Sequence, residues 1–230
     1  MRNSWNIRNA AIPGQDGRWC ISVTEGCIEQ VMEEGSCAPG GAGLRTWDAG
    51  GRLVSASFVD PHVHIDKALT SHRVTEGANV DGLNGAIRAV RRLKAEFTVN
   101  DVADRAQKSL GMGLVHGTTM VRTNCEVDRF VEQRAHQGIK AATIAMAGKV
   151  DVQTIAFPQE GWFETAGSIE DGAGTYVEQA LQDGIRIVGG NINRAIWPSD
   201  PERQVDETFA LAKLYNCDID YHLDNWDTEQ

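Results

Sequence analysis

Beyond residue 55 the chain alternates short apolar runs with stretches of helical periodicity, and this alternation restricts the fold more than any other feature. A strand, a helix and a second strand in succession return the chain to the same end of a sheet, which makes the strands parallel. The pattern predicts strands ending at His64, over 117–124, over 139–147 and in an extended version through 157, over 185–191, and over 218–222. Helices are predicted over 85–96, where Ala86, Ile87, Val90 and Leu93 recur at helical spacing, and over 101–110 behind an Asp101 cap. Further helices are predicted over 126–137, closed by Gly138, over 172–183 and over 206–215.

Residues 4–55 read differently. Apolar clusters at 5–12, 19–23 and 27–31 are separated by Pro13-Gly14, Asp16-Gly17 and Glu25-Gly26, which predicts short strands joined by tight turns. Residues 35–43 read as a loop, and Gly50-Gly51 as the turn between two further strands. The expected division is therefore a small β unit over 1–55 and a βα unit over 56–230.

The first predicted strand ends in Phe58-Val59-Asp60-Pro61-His62-Val63-His64-Ile65-Asp66-Lys67. In an extended chain, residues i and i+2 share a face, so His62 and His64 can present ring nitrogens to one metal ion. Strand ends of a parallel barrel converge at one mouth, which brings His222, at the end of the fifth strand, toward them. Two histidines on a solvated edge and a satisfied His222 are the alternative reading of the same residues. Asp66 reads either as support for the ligand histidines or as a plain loop carboxylate, and His72, His116 and His136 as surface or capping groups.

At 230 residues and 41% hydrophobic, the chain can bury a sizeable core. Its net charge of -10 argues against a nucleic-acid or anionic membrane partner, both of which need a basic surface, and favours a small-molecule substrate. The five cysteines are odd in number and contain no C-x-x-C, so reduced thiols are expected. No apolar run approaches the roughly 20 residues that span a bilayer, and the expected location is cytoplasmic.

The run Asp48-Ala49-Gly50-Gly51-Arg52 followed by 58–67 resembles the amidohydrolase superfamily. Within it, the segments at 121–123, 157–161, 208–212 and 220–227 resemble cytosine deaminase and its relatives, a likeness covering the chain from about residue 49 onward. The resemblance implies a (β/α)8 TIM-type barrel, here truncated after about five strands, with a small N-terminal portion of a β-sandwich. It implies His62, His64 and His222 as ligands of one divalent ion, Zn²⁺ or Fe²⁺. The end of the fourth strand, Gly189-Gly190-Asn191-Ile192-Asn193-Arg194, carries no lysine to bridge a second ion. Gln159 matches a glutamine that contacts the pyrimidine ring, and homo-oligomers are implied for a full-length form.

Two positions depart from the family pattern. Asn225 stands where the deaminases have a glutamate that moves a proton, and an amide can orient a substrate but cannot titrate near neutral pH. Asn124 replaces a histidine in Val121-Arg122-Thr123-Asn124. The implied activity is hydrolysis of a C–N bond of a nitrogen heterocycle or cyclic amide by metal-activated water. Asn225 and Asp224 are then the catalytic candidates, and Gln159 and Asn225 the substrate-binding ones. The competing expectation is a catalytically incomplete fragment or degenerate homologue that binds metal only. On either reading the 230-residue chain alone is expected to be inactive.

Overall fold

The computed structural model describes residues 4–37, 44–74, 82–159, 161–162, 173–192 and 201–223. The chain divides into two compact units, residues 1–57 and 58–230.

The first unit is a four-stranded sheet of β1 (Ser4–Ile12), β2 (Gln15–Thr24), β3 (Cys27–Glu33) and β4 (Arg45–Asp48), in the order β3-β2-β1-β4. β2 and β3 are joined by Glu25 and Gly26, whose φ values of 51° and 81° give the primed turn that matches the twist of antiparallel strands. Ala10, Ile21 and Ala49 are its buried core, with Ile7, Ile12, Val23 and Val54 packed against them. The turn at Gly50-Gly51 does not join two paired strands as the sequence predicts. β4 instead lies parallel to β1, and Leu53 makes a single bridge to Ala11. Cys20 and Cys37 form a disulfide, Cα atoms 5.9 Å apart, which corrects the expectation of reduced thiols throughout. The pairing arises because β3 folds back on β2 and returns residue 37 to residue 20, a proximity no local spacing records.

The second unit is a curled parallel sheet, a half-barrel, of β5 (Phe58–Val63), β6 (Thr118–Glu126), β7 (Asp151–Phe157), β8 (Ile187–Asn191) and β9 (Asp218–His222), paired in chain order. Between them run α1 (Gly82–Lys94), α2 (Val99–Leu114), α3 (Arg134–Ala145), α4 (Gly174–Gln182) and α5 (Pro201–Tyr215). The period of two sorts each strand. Val121, Cys125, Ala156 and Val188 face the helices and join the main core with Val102, Leu110, Ile139 and Leu181, whereas Ile155, Phe157 and Ile187 form a separate inner cluster.

Three helical expectations need correction. Residues 139–147 are not a strand, because α3 runs through Ala145 and buries Ala135, Ile139 and Ala142 at helical spacing. Gly138 does not end a helix but lies inside α3, where a Cβ would stand 2.6 Å from Val102 Cβ and 2.9 Å from the Val99 carbonyl oxygen. Its bareness lets α3 approach α2. Thr98, not Asp101, caps α2, its hydroxyl accepting the Asp101 N–H at 3.1 Å. The Asp101 carboxylate is engaged by Arg73 at 2.5 Å and Arg105 at 2.9 Å instead.

Candidate metal centre

The mouth of the half-barrel is built where β5 and β9, the two strands at the ends of the pairing order, carry their histidines. His62 sits inside β5, His64 directly follows it, and His222 closes β9. Curling brings residues 158 apart in sequence together, with His64 Nε2 and His222 Nε2 separated by 3.3 Å. The His62 ring lies 4.6 Å from that of His222 and 5.6 Å from that of His64, and one nitrogen from each ring falls within 4.8 Å of the others. Phe157 forms the floor, its ring 4.4 Å from His222 and 5.4 Å from His64.

This spacing fits a shared cation. Imidazole nitrogens at about 2.0–2.1 Å from a tetrahedral ion stand about 3.3–3.4 Å from one another, which is the His64–His222 separation. Burial, then the Lys67 ammonium and the other ring, push His64 down to about 2. Burial, His62 and Lys67 push His222 down to about 4. Both rings are therefore neutral at physiological pH, the state in which imidazole ligates a metal.

The loop leaving β5 is fastened from below. The Asp66 carboxylate accepts the N–H groups of Lys67 at 2.9 Å and Glu126 at 3.0 Å, while Arg105 donates to the carbonyl oxygens of Asp66 and Ala68 at 2.6 and 2.9 Å. Asp66 thus ties the end of β5 to the end of β6, and its described partners are backbone amides rather than ring nitrogens.

Beside the histidines lies a buried charged cluster. Glu126 Oε2 accepts from Lys67 Nζ at 3.0 Å and Glu126 Oε1 from Lys94 Nζ, and Lys94 also holds Asp128 Oδ2 at 2.6 Å. Burial alone would raise Glu126, but the two ammonium groups outweigh it and hold the carboxyl well below the usual range. Asp128, buried and next to that anion, is pushed up to about 7. Lys67 also donates to Gln159 Oε1, and its Nζ lies 5.7 Å from the centre of the Phe157 ring. Gln159 is thus brought to the same side of the site as the histidine floor.

Lys67, Lys94, Glu126 and Asp128 are the residues sequence reasoning passed over. A signal for one of them was present: Arg122, Asn124 and Glu126 are polar at every second position of a strand whose intervening residues are Val121, Thr123 and Cys125. That period marks a polar inner face, which Arg122 confirms by donating to Asp220 at 3.1 Å and Gln153 at 3.1 Å. Asn124 is fully buried on that face, with neither amide atom hydrogen-bonded to the described protein. Asp224 and Asn225 lie outside the described residues. His136 is buried rather than superficial, its Nε2 2.7 Å from Asp183 Oδ2. It lines a cavity of about 440 Å³ between α3 and the starts of β7 and β8, which none of the three clustered histidines touches.

The chain is 30% identical over 220 residues to N-isopropylammelide isopropyl amidohydrolase of Pseudomonas sp. (strain ADP), covering 94% of this chain and 52% of that protein. It is 28% identical over 208 residues to pterin deaminase of Rhizobium rhizogenes (strain K84 / ATCC BAA-868), covering 89% and 44%. The solved 5-methylcytosine deaminase from Klebsiella pneumoniae, liganded with 5-fluorocytosine, superposes with a TM-score of 0.82 at 28% identity, covering 98% of this chain and 52% of that one. No family model matches. The chain spans about half the length of the curated relatives it matches. On these likenesses, and on the half-barrel that carries them, the chain belongs to the amidohydrolase superfamily.

Proposed function

We propose that the protein is a metal-dependent hydrolase that cleaves a C–N bond of a nitrogen heterocycle, by deamination or by release of a substituted amine. The observation that carries this reading is the 3.3 Å approach of His64 Nε2 and His222 Nε2 at the mouth of the half-barrel, with His62 alongside. These three residues would hold one divalent ion, Zn²⁺ or Fe²⁺. When bound, such an ion supplies a Lewis acid that makes water nucleophilic near neutral pH.

The chain's own residues would bind and orient the ring. Phe157 offers an apolar floor beside the histidines, and Gln159 an amide at the rim. Asn124, buried on the inner face with its amide unsatisfied among the described residues, is a further group able to meet a polar ligand. Asn225 and Asp224 would complete the site, Asn225 as an orienting amide rather than a proton carrier. The relatives named for isopropylammelide, pterin and 5-methylcytosine all take nitrogen heterocycles, which supports that substrate class.

Elemental analysis of the full-length protein tests the reading. About one divalent ion per chain is expected, lost in His62→Ala and His222→Ala, together with ammonia or amine release from a panel of amino-substituted pyrimidines and triazines. Undiminished metal in either variant would overturn it.

A further inference from the structure

Two groups on neighbouring strands of the half-barrel are buried without a hydrogen-bond partner, and their chemistry is complementary. His64 Nδ1 has no partner among the described residues, and neither has the oxygen or the nitrogen of the Asn124 amide. Val63 pairs with Thr123 in the parallel ladder, and the Asp66 carboxylate accepts the Glu126 N–H at 3.0 Å, so His64 and Asn124 lie between those anchors as lateral neighbours. Both face the interior. The His64 ring stands 5.4 Å from that of Phe157, and Asn124 pairs with Ile155, which belongs to the same inner cluster as Phe157. Asn124 is fully buried, so its amide has to be satisfied from within the site rather than by bulk water.

The placement of hydrogens on the histidines decides which atom needs which. In the 3.3 Å contact between the His64 and His222 Nε2 atoms, one nitrogen donates and the other accepts. A cation held between the rings needs the lone pairs of both Nε2 atoms, so each neutral ring then carries its hydrogen on Nδ1. His64 Nδ1 thereby becomes a donor that requires an acceptor. It is also the ring nitrogen nearer the backbone, so a short side chain such as asparagine can reach it from a strand about 4.8 Å away.

We propose that Asn124 is a positioning residue for the metal centre: its side-chain oxygen accepts the Nδ1–H of His64 and fixes the ring in the tautomer that offers Nε2 to a cation. The register already sets the two residues side by side, so the bond forms by side-chain rotation alone. Where His64 carries its hydrogen on Nε2, exchange with water transfers it to Nδ1, and the ring is neutral before and after. The amide NH2 takes no part in this contact. The inference rests on the metal reading above and adds to it a residue outside the ligand set.

Zinc affinity of the full-length protein, measured by competition with a chromophoric chelator, tests the proposal. Asn124→Leu keeps the branching of the side chain but has no acceptor, and should weaken zinc binding about ten- to a hundredfold. Asn124→Asp keeps an oxygen in place and should bind zinc within about threefold of the wild type, or more tightly. Metal-free Asn124→Leu should melt no lower than the wild type, because the substitution removes a buried amide that lacks a partner. The smaller Asn124→Val repeats the comparison without added bulk; a lower melt or failure to fold in both variants would mark a structural asparagine and overturn the inference. Unchanged zinc affinity in either folded apolar variant, or lost affinity in folded Asn124→Asp, would overturn it while leaving the metal reading standing. Wild-type protein that binds no zinc would overturn both.

Discussion

Lys94→Met removes the one ammonium that joins Glu126 to Asp128, and the cost can be worked from the geometry. All three side chains are at most 3% exposed, so no solvent replaces the lost cation. Glu126 retains Lys67, and among the described residues Asp128 retains the backbone N–H groups of Phe130 at 2.7 Å and Val131 at 3.0 Å and its side-chain hydrogen bond with Glu126, but no cation. Breaking a buried pair by deleting one partner costs ~3–5 kcal/mol, which for a unit of this size lowers the melting temperature by roughly 6–20 °C. The loss should depend on pH. Asp128 in the folded protein is raised to about 7 from a carboxyl's ordinary value, so the contribution of its proton is full below about pH 4 and disappears as pH rises through 7. Without Lys94 the carboxyl is raised further, and the variant should recover part of its deficit relative to wild type between pH 8 and pH 5. Urea denaturation followed by circular dichroism at both pH values measures this directly. A deficit under ~1 kcal/mol at pH 8, or one that does not shrink at pH 5, would show that the cluster is not the buried, tightly coupled unit described.

Other outcomes follow from single contacts. Gly138→Ala should destabilise the protein by ~1–3 kcal/mol, since the new methyl meets Val102 and the Val99 carbonyl and α3 has to move off α2; a neutral thermal melt would contradict the close crossing. Asp101→Asn should cost ~1 kcal/mol at pH 7 through loss of Arg73 and Arg105. Those arginines overcome the burial that would raise Asp101 and hold it at about 2. Its contribution is thus present above about pH 4 and lost as pH falls toward 2, so acid titration of the variant should show a shallower decline. Adding stoichiometric zinc to metal-free protein should raise the melting temperature, and His64→Ala should remove that gain.

Much of the site could be read from residues one or two apart. The period of two in 58–64 puts His62 and His64 on one face, and the spacing of apolar runs places His222 at the end of a strand, because strand geometry is dictated by local backbone sterics. The same rule could have identified Arg122, Asn124 and Glu126 as an inner face. Helical periodicity found α4 and α5 but failed at α3, where a glycine read as a stop is a point of contact with α2. Nothing local records that contact.

What the sequence determined by itself is therefore four of the five strands of the second unit, their parallel sense and the histidines at their ends. The tertiary structure alone decided which of those ends meet. His64 and His222 are 158 residues apart, Lys67 and Gln159 are 92 apart, and Lys94 reaches Glu126 across 32. The same holds for Cys20 and Cys37, joined by the return of β3 along β2. Side-chain direction is a property of a few consecutive dihedral angles and repeats with the backbone period. Distance between elements depends instead on how far the sheet curls and how closely its helices pack, which is the summed result of many burial contacts along the chain.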